Sequence, residues 1–269
     1  IFGHKPFLVL ADYLTRNGIA VLRFDDRGYG KSTGDFIKAT TANLATDVEA
    51  ALAYLLSRKE INSRKIGLIG HSEGGVIAPM VAANSNDISF IVLMAGTGIN
   101  GAELLLMQQE LIGRASGKSD TDLQKTKSIN QQVFDMVLKI SDSDKLKAEL
   151  TDHLKKVISE NPEMNDGKTS ESEIIEKQFK QILNPWMLFF LRHNPADVLE
   201  KVSCPVLAVN GEKDLQVPAD VNLNAIKNAL DKAQNKNVTI KKFPNLNHLF
   251  QESTTGSPSE YGTIEQTIS

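Results

Sequence analysis

The chain has few of the residues that build disulfides, metal centres or membrane anchors. One cysteine, Cys204, occurs among 269 residues, so no disulfide can form within the chain, and its place before an apolar run predicts an inert core thiol. An H-E-x-x-H motif and a cysteine pair, both typical of zinc sites, are absent. No apolar run reaches the roughly 18 to 20 residues of a membrane span. The sequence therefore predicts neither a bound metal nor a membrane-spanning segment.

The chain also lacks a large excess of positive or negative charge. The 30 Lys and Arg residues nearly balance the 33 Asp and Glu residues, which leaves a formal net charge of −3. Nucleic-acid-binding domains concentrate basic residues on one face, whereas here they are scattered along the chain. We therefore predict no nucleic-acid partner. The length suits one α/β domain that carries an insertion, and the sequence contains no internal repeat.

What the chain does contain is a serine motif flanked by glycines. Residues 70–74 read GHSEG; they follow the apolar residues 66–69 and precede a helical pattern over residues 76–83. A strand, a sharp turn and a helix are the context in which G-x-S-x-G lifts a nucleophilic serine above a sheet. Gly70 and Gly74 are predicted to relieve clashes in that turn. The backbone N–H of Glu73 is predicted to form half of an oxyanion hole beside Ser72.

A nucleophilic serine needs a base, and the base needs a carboxylate that orients it. Two later strand patterns, at residues 205–210 and 238–243, are followed by Asp214 and His248 respectively. Ligands bind outside the carboxyl ends of the strands in open α/β sheets. We therefore expect Ser72, Asp214 and His248 to lie together at that edge.

Other carboxylates and histidines compete for these roles. Glu212 is an alternative acid that also suits a solvated turn, and Asp220 falls in the first turn of a predicted helix, where the helix dipole explains it. His71 adjoins the serine, but successive residues of a turn diverge, so its ring is predicted to point elsewhere. The remaining histidines are interpreted as surface or structural residues: His4, His153 and His193.

Four motifs follow one another along most of the chain: DDRGYGKS at residues 25–32, GHSEGG at 70–75, GEKDLQVP at 211–218 and NHLFQ at 247–251. Together they resemble the motifs of bacterial α/β-hydrolase serine esterases, of the branch that includes carboxylesterases and dienelactone-hydrolase-like enzymes. The resemblance implies an α/β-hydrolase fold, with a mostly parallel sheet flanked by helices. It also implies that Ser72 is the nucleophile, Asp214 the acid and His248 the base, and that the Glu73 side chain belongs to the pocket wall.

From about residue 98 to residue 195 the chain shows no strand pattern. Helical patterns instead cover residues 101–116, 120–140, 143–159 and 170–183, with a polar loop at residues 161–170. We predict a hydrolase core formed by residues 1–98 and 196–269, and a helical cap formed by residues 99–195. The many charges of the cap are interpreted as its solvated face.

The most aromatic stretch, residues 185–191, contains Trp186, Phe189 and Phe190. Ligand sites are concave and largely apolar, so one interpretation is that these three side chains form the wall of an acyl pocket. The alternative is ordinary packing of the cap on the core, and the sequence leaves both open.

Both ends of the sequence suggest a longer polypeptide. The first helical pattern begins almost at Ile1, and residues 264–269 begin a helix that stops early. In the resembled fold, a strand and a loop that supplies the second oxyanion N–H precede the first helix. We expect them in an upstream segment, with that strand lying between strands at residues 19–24 and 65–70. The sequence leaves open the compartment, cytoplasmic or exported, and the oligomeric state.

These observations predict hydrolysis of small carboxylic esters through an acyl-enzyme on Ser72, without a cofactor. Fold and triad determine the reaction step and not the substrate, so a thioesterase and an aminoacyl-peptidase are alternatives. An acyltransferase, a further alternative, would need a site that shields the acyl-enzyme from water. The alternative from another class is a catalytically silent binding module with the same fold.

Overall fold

A parallel four-stranded sheet organises the part of the chain that the structure describes. The structure is a computed structural model, and it describes residues 2–162 and 169–269. Neighbouring strands follow chain order: β1 (Gly67–His71), β2 (Phe90–Met94), β3 (Val206–Gly211) and β4 (Val238–Phe243). Because every pairing is parallel, the carboxyl ends of all four strands meet at one edge of the sheet.

Helices cover the sheet and fill the long connection between β2 and β3. In chain order they are α1 (Pro6–Arg16), α2 (Thr41–Leu56), α3 (Gly74–Asn84), α4 (Gly101–Ala115), α5 (Asp120–Lys139), α6 (Ser143–Glu160), α7 (Glu171–Ile182), α8 (Pro185–Arg192), α9 (Pro195–Leu199) and α10 (Ala219–Lys232). Short 3-10 helices span Ser63–Lys65 and Pro258–Glu260. This is the helix-flanked parallel sheet that the sequence predicts.

The main hydrophobic core joins β2 and β3 to α2, α3 and α10. Its strand residues are Val, Ile, Leu and Ala, the apolar types that are typical of parallel strands. Ile91, Ala208 and Leu230 are completely buried in it. Burying one Leu or Ile side chain contributes roughly 1.5–3 kcal/mol, so this cluster holds the strand ends, and the polar residues after them, in fixed positions.

Helices α4, α5, α6 and α8 share a second hydrophobic core. Val137, Leu150 and Leu191 are completely buried there. The four helical segments predicted for the insertion agree with α4 to α7 within one residue at each end. No strand occurs in residues 99–162 or 169–195. The division into core and cap stays a prediction, and residues 163–168 of the predicted loop lie outside the described residues.

Two predicted elements are wrong. Residues 19–24 form no strand, and Ile19 and Phe24 expose 50% and 47% of their surface. A strand needs a hydrogen-bonded neighbour, and no other described segment pairs with these residues. Residues 264–269 are not helical, because the chain instead returns to the sheet edge, where the N–H of Ser269 donates to the carbonyl oxygen of Phe250 at 2.9 Å.

Candidate active site

Ser72 stands on a sharp turn between β1 and α3. Its backbone φ is +54°, a left-handed conformation that costs a residue with a Cβ of order 1–3 kcal/mol. The N–H of Ser72 donates to the carbonyl oxygen of Met94 at 2.8 Å, which anchors the turn to β2. The N–H of Ile77 donates to the carbonyl oxygen of Glu73 at 3.0 Å, which starts the helix. Strand, strained turn and helix therefore follow one another as the motif predicts.

The glycines around this turn have unequal roles. A Cβ on Gly70 would overlap the backbone of Gly74, so the predicted need for glycine at position 70 is confirmed. A Cβ on Gly74 would meet no atom within 4 Å, so the prediction for position 74 is wrong. The tight position is Gly75, where a Cβ would lie 2.5 Å from the Cα of Gly96. The close approach of α3 to the loop after β2 explains this, and the motif alone does not reveal it.

Asp214 and His248 form a buried hydrogen-bonded pair beyond the ends of β3 and β4. Asp214 Oδ2 accepts a hydrogen bond from His248 Nδ1 at 2.8 Å, and the two residues are 2% and 5% exposed. Asp214 Oδ1 accepts from the backbone N–H groups of Gln216 and Val217 at 2.9 and 2.8 Å. Because Nδ1 carries the donated proton, Nε2 of the neutral imidazole is left as the acceptor.

A buried amide shapes the loop that carries His248. Asn247 is completely buried, and its Oδ1 accepts from the N–H groups of Leu249 and Gln251 at 2.9 and 3.0 Å. Side-chain oxygens that bond nearby backbone in this way replace a regular turn. The loop therefore holds the imidazole through its backbone, a role for Asn247 that the sequence analysis missed.

His71 also contacts this loop, and no hydrogen bond in the described residues joins its ring to Ser72. Its Nε2–H donates to the carbonyl oxygen of His248 at 2.8 Å, and the two rings lie 4.8 Å apart. Burial and, to a smaller extent, the neighbouring His248 together lower the pKa of His71 to about 4. His71 is thus a neutral donor at ordinary pH. As the last residue of β1, His71 directs its side chain toward the loop after β4, a contact that the sequence analysis missed.

The other three histidines lie before α1, at the end of α8 and within α6. His4 precedes α1, where its Nδ1 bonds Thr267 Oγ1 at 3.2 Å. His193 ends α8 and stacks on Phe189 at 5.3 Å. His153 lies within α6, and partial burial lowers its pKa.

The link from Ser72 to His248 is not closed by a hydrogen bond. Within residues 2–162 and 169–269, no hydrogen bond joins Ser72 Oγ to His248 Nε2, and no protein atom accepts from the N–H of Glu73. Catalytic hydrogen bonds are often long before substrate binds, so the assignment of the three residues to one triad stays a prediction. An unpartnered N–H beside Ser72 is what an oxyanion donor requires.

The side chain of Glu73 connects the turn to two helices. Its Oε1 accepts from the Thr41 hydroxyl and from the Trp186 indole N–H, both at 2.7 Å. Trp186 stacks on Phe190 with ring centroids 5.1 Å apart and planes 6° apart. The aromatic stretch therefore reaches the residue next to Ser72, while Phe189 lines an open cleft of about 410 Å³ with His193. The role of the three aromatic residues as a pocket wall stays a prediction.

Two features are absent from the described residues. No group of three or more His, Cys, Asp or Glu side chains there is arranged to hold a metal ion. In the same part of the chain, no helix has the length and apolar character to cross a membrane.

Comparisons with known proteins identify the family. The family described as serine aminopeptidase, S33, matches residues 5–253. An uncharacterized 31.7 kDa protein of Escherichia coli, from the traX-finO intergenic region, is 26% identical over 212 residues, which cover 78% of this chain and 68% of that protein.

Solved structures with such low sequence identity establish only the fold. The α/β hydrolase GrgF of Penicillium sp. sh18 has a TM-score of 0.54 at 15% identity, over 90% of this chain and 76% of its own. Est1E of Butyrivibrio proteoclasticus, solved with ferulic acid, has a TM-score of 0.50 at 19% identity, over 91% and 76%. The chain belongs to the serine aminopeptidase S33 family of hydrolases and has the α/β-hydrolase fold.

Proposed function

We propose that this protein hydrolyses carboxylic esters of small acyl substrates through an acyl-enzyme on Ser72. The observation that carries the proposal is the Asp214–His248 hydrogen bond of 2.8 Å, formed at the same sheet edge as a serine held at a φ of +54°. A buried carboxylate on Nδ1 fixes the tautomer whose Nε2 accepts a proton. A strained, half-buried serine turn presents the hydroxyl that gives up this proton.

The reaction then proceeds in two acyl transfers. Ser72 Oγ attacks the ester carbonyl carbon as its proton passes to His248 Nε2, and the carbonyl oxygen becomes an oxyanion that the Glu73 N–H stabilises. The intermediate collapses when the C–O bond to the alcohol breaks and the imidazolium returns the proton to the leaving alcohol. Water then attacks the carbonyl carbon of the acyl-enzyme as its proton passes to His248 Nε2. The C–O bond to Ser72 breaks, the imidazolium returns the proton to Ser72 Oγ, and the acid is released. The Asp214 carboxylate stabilises the imidazolium in both halves.

A second candidate is release of amino-terminal residues from short peptides, because the family is described as serine aminopeptidase. The same triad would attack an amide carbonyl, and His248 would protonate an amine in place of an alcohol. Peptide cleavage would require, in addition, a group that binds the free amino terminus. No feature described above assigns one, so the ester reaction is preferred.

The test combines covalent labelling of the nucleophile with measurements of substrate turnover. The intact protein and Ser72→Ala are treated with a fluorophosphonate probe and assayed on p-nitrophenyl acetate, an acyl thioester and an aminoacyl p-nitroanilide. We expect labelling of the wild type at Ser72 only, and ester turnover well above anilide turnover. Turnover of the anilide alone favours the aminopeptidase. A wild type that neither labels nor turns over any substrate refutes the proposal and favours a silent binding module.

A further inference from the structure

The Glu73 carboxylate is the point at which three parts of the chain meet. Glu73 directly follows Ser72, Thr41 is the first residue of α2, and Trp186 lies in the first turn of α8. Both donors reach the same oxygen, Oε1, at 2.7 Å. Hydrogen bonds to a carboxylate are roughly twice as strong as those between neutral groups, and partial burial strengthens them.

Each of the two donors is held independently of Glu73. Thr41 is 1% exposed, and the residue before it, Thr40, forms a reciprocal capping box with Asn43 that fixes the start of α2. Trp186 is fixed by its stack on Phe190 and by the start of α8, where the Asn184 side chain accepts from the N–H of Met187 at 2.8 Å. The carboxylate is therefore the adaptable member of the contact, and its anchors are rigid.

The far end of α8 is tied to the residue that precedes α4. Asn100 Nδ2 donates to the carbonyl oxygens of Leu191 and His193 at 2.9 and 3.1 Å. Leu191 itself is completely buried. A displacement of α8 would move Trp186. Because Trp186 is hydrogen-bonded to Glu73, it would also shift the backbone N–H beside Ser72.

We propose that Glu73 is a positioning residue: its side chain, clamped between Thr41 and Trp186, sets the position of its own backbone N–H as the oxyanion donor and links that donor to α8. This inference rests on the proposed function. A side chain that only lined the pocket would not need two fixed hydrogen-bond donors. The proposal gives the carboxylate a specific role, which is to hold a catalytic backbone group in position. A misplacement of about 1 Å at such a group costs about 100-fold in rate.

Four substitutions separate the parts of the clamp. Glu73→Leu removes the acceptor, whereas Glu73→Gln keeps an oxygen that accepts from both donors. Trp186→Phe keeps the stack on Phe190 and removes the N–H, and Thr41→Val removes only the hydroxyl. Thr151→Val is the matched control, because the Thr151 hydroxyl donates only to Lys147 within α6.

The kinetic readout is kcat and kcat/KM on p-nitrophenyl acetate with the intact protein. We expect E73L to lower both by the same factor of about 100, as for an interaction made only in the transition state. T41V and W186F should each lower both about 10-fold, in line with one hydrogen bond to a charged group. E73Q should lose less than E73L, and T151V should behave as the wild type. A merely structural contact would change folded yield without this parallel fall.

The spectroscopic readout does not depend on activity. Trp186 is the single tryptophan, so intrinsic fluorescence reports directly on its contact with Glu73. We expect a shifted emission maximum in E73L and an emission near that of the wild type in E73Q and T151V. If E73L fails to fold, the T41V and W186F kinetics decide. If the wild type is active and E73L, T41V and W186F are equally active, this inference alone is overturned. The same holds if the emission maximum of Trp186 is unchanged in E73L. A wild type as inactive as Ser72→Ala overturns the proposed function first, and the inference with it.

Discussion

Protonation of His71 should destabilise the fold at mildly acid pH. Burial lowers the pKa of its imidazole from 6.5 to about 4. Above pH 6.5 the ring is neutral in the folded and the unfolded state. Between pH 6.5 and 4 the unfolded chain binds a proton that the folded chain does not, so the free energy of unfolding falls as the pH falls. At 1.36 kcal/mol for each pKa unit, the full loss is about 3 kcal/mol.

The perturbation that isolates this effect is His71→Gln. Glutamine keeps an N–H that can reach the carbonyl oxygen of His248, now bonded at 2.8 Å, and it does not titrate. The two proteins differ only at position 71, so the difference between their pH dependences reports on this residue. Urea unfolding of the wild type and H71Q, followed at intervals from pH 7 to pH 4, should show the wild type losing about 3 kcal/mol more than the variant.

The control is His153→Gln. Partial burial lowers the pKa of His153 too, but this residue lies in α6, and the charged groups that act on it are Lys156 and Glu160 of the same helix. H153Q should keep most of the pH dependence of the wild type. Equal slopes for H71Q and wild type across this range would refute the reasoning, because they would mean that His71 takes up its proton as easily in the fold as in the unfolded chain.

Two further predictions concern the base and the turn. Asp214→Asn should lower kcat on p-nitrophenyl acetate by about 10⁴-fold while leaving KM nearly unchanged, because an amide no longer fixes the productive imidazole tautomer; an unchanged kcat would remove Asp214 from the triad. Gly75→Ala should cost about 1–3 kcal/mol in urea unfolding, since its Cβ would lie 2.5 Å from the Cα of Gly96. Gly74→Ala is its matched control and should be neutral or stabilising by up to about 1 kcal/mol, because a Cβ there meets nothing within 4 Å; equal costs at the two positions would contradict the geometry.

Residues whose role depends on chain order could be predicted from the sequence. Ser72, Asp214 and His248 each follow a strand in a parallel sheet, and the sequence patterns located β1, β3, β4 and the helices α4 to α7. Strand ends in such a sheet lie on one edge whatever the details of packing. That is why the pairing of Asp214 with His248 could be expected before the structure was known.

Residues whose role depends on contacts between distant segments could not be predicted. Thr41, Glu73 and Trp186 are separated by 32 and 113 positions along the chain, and no periodicity relates them. The steric need for Gly75 likewise comes from Gly96, on another element. The predicted strand at residues 19–24 failed for a similar reason: its apolar character is local, but a strand also requires a partner that lies beside it.

The two neighbours of Ser72 in the chain explain how a strained turn is kept in place. A left-handed serine persists only when its surroundings determine its conformation more strongly than its own backbone preference does. On one side, His71 bonds the backbone of the loop that carries His248. On the other side, Glu73 bonds α2 and α8 at once. The strain at Ser72 is therefore balanced by contacts to the loop that carries His248, to α2 and to α8, so a change in any one of the three should be felt at the serine. Under the proposed function, this makes the position of α8 a determinant of rate and not only of which substrate enters.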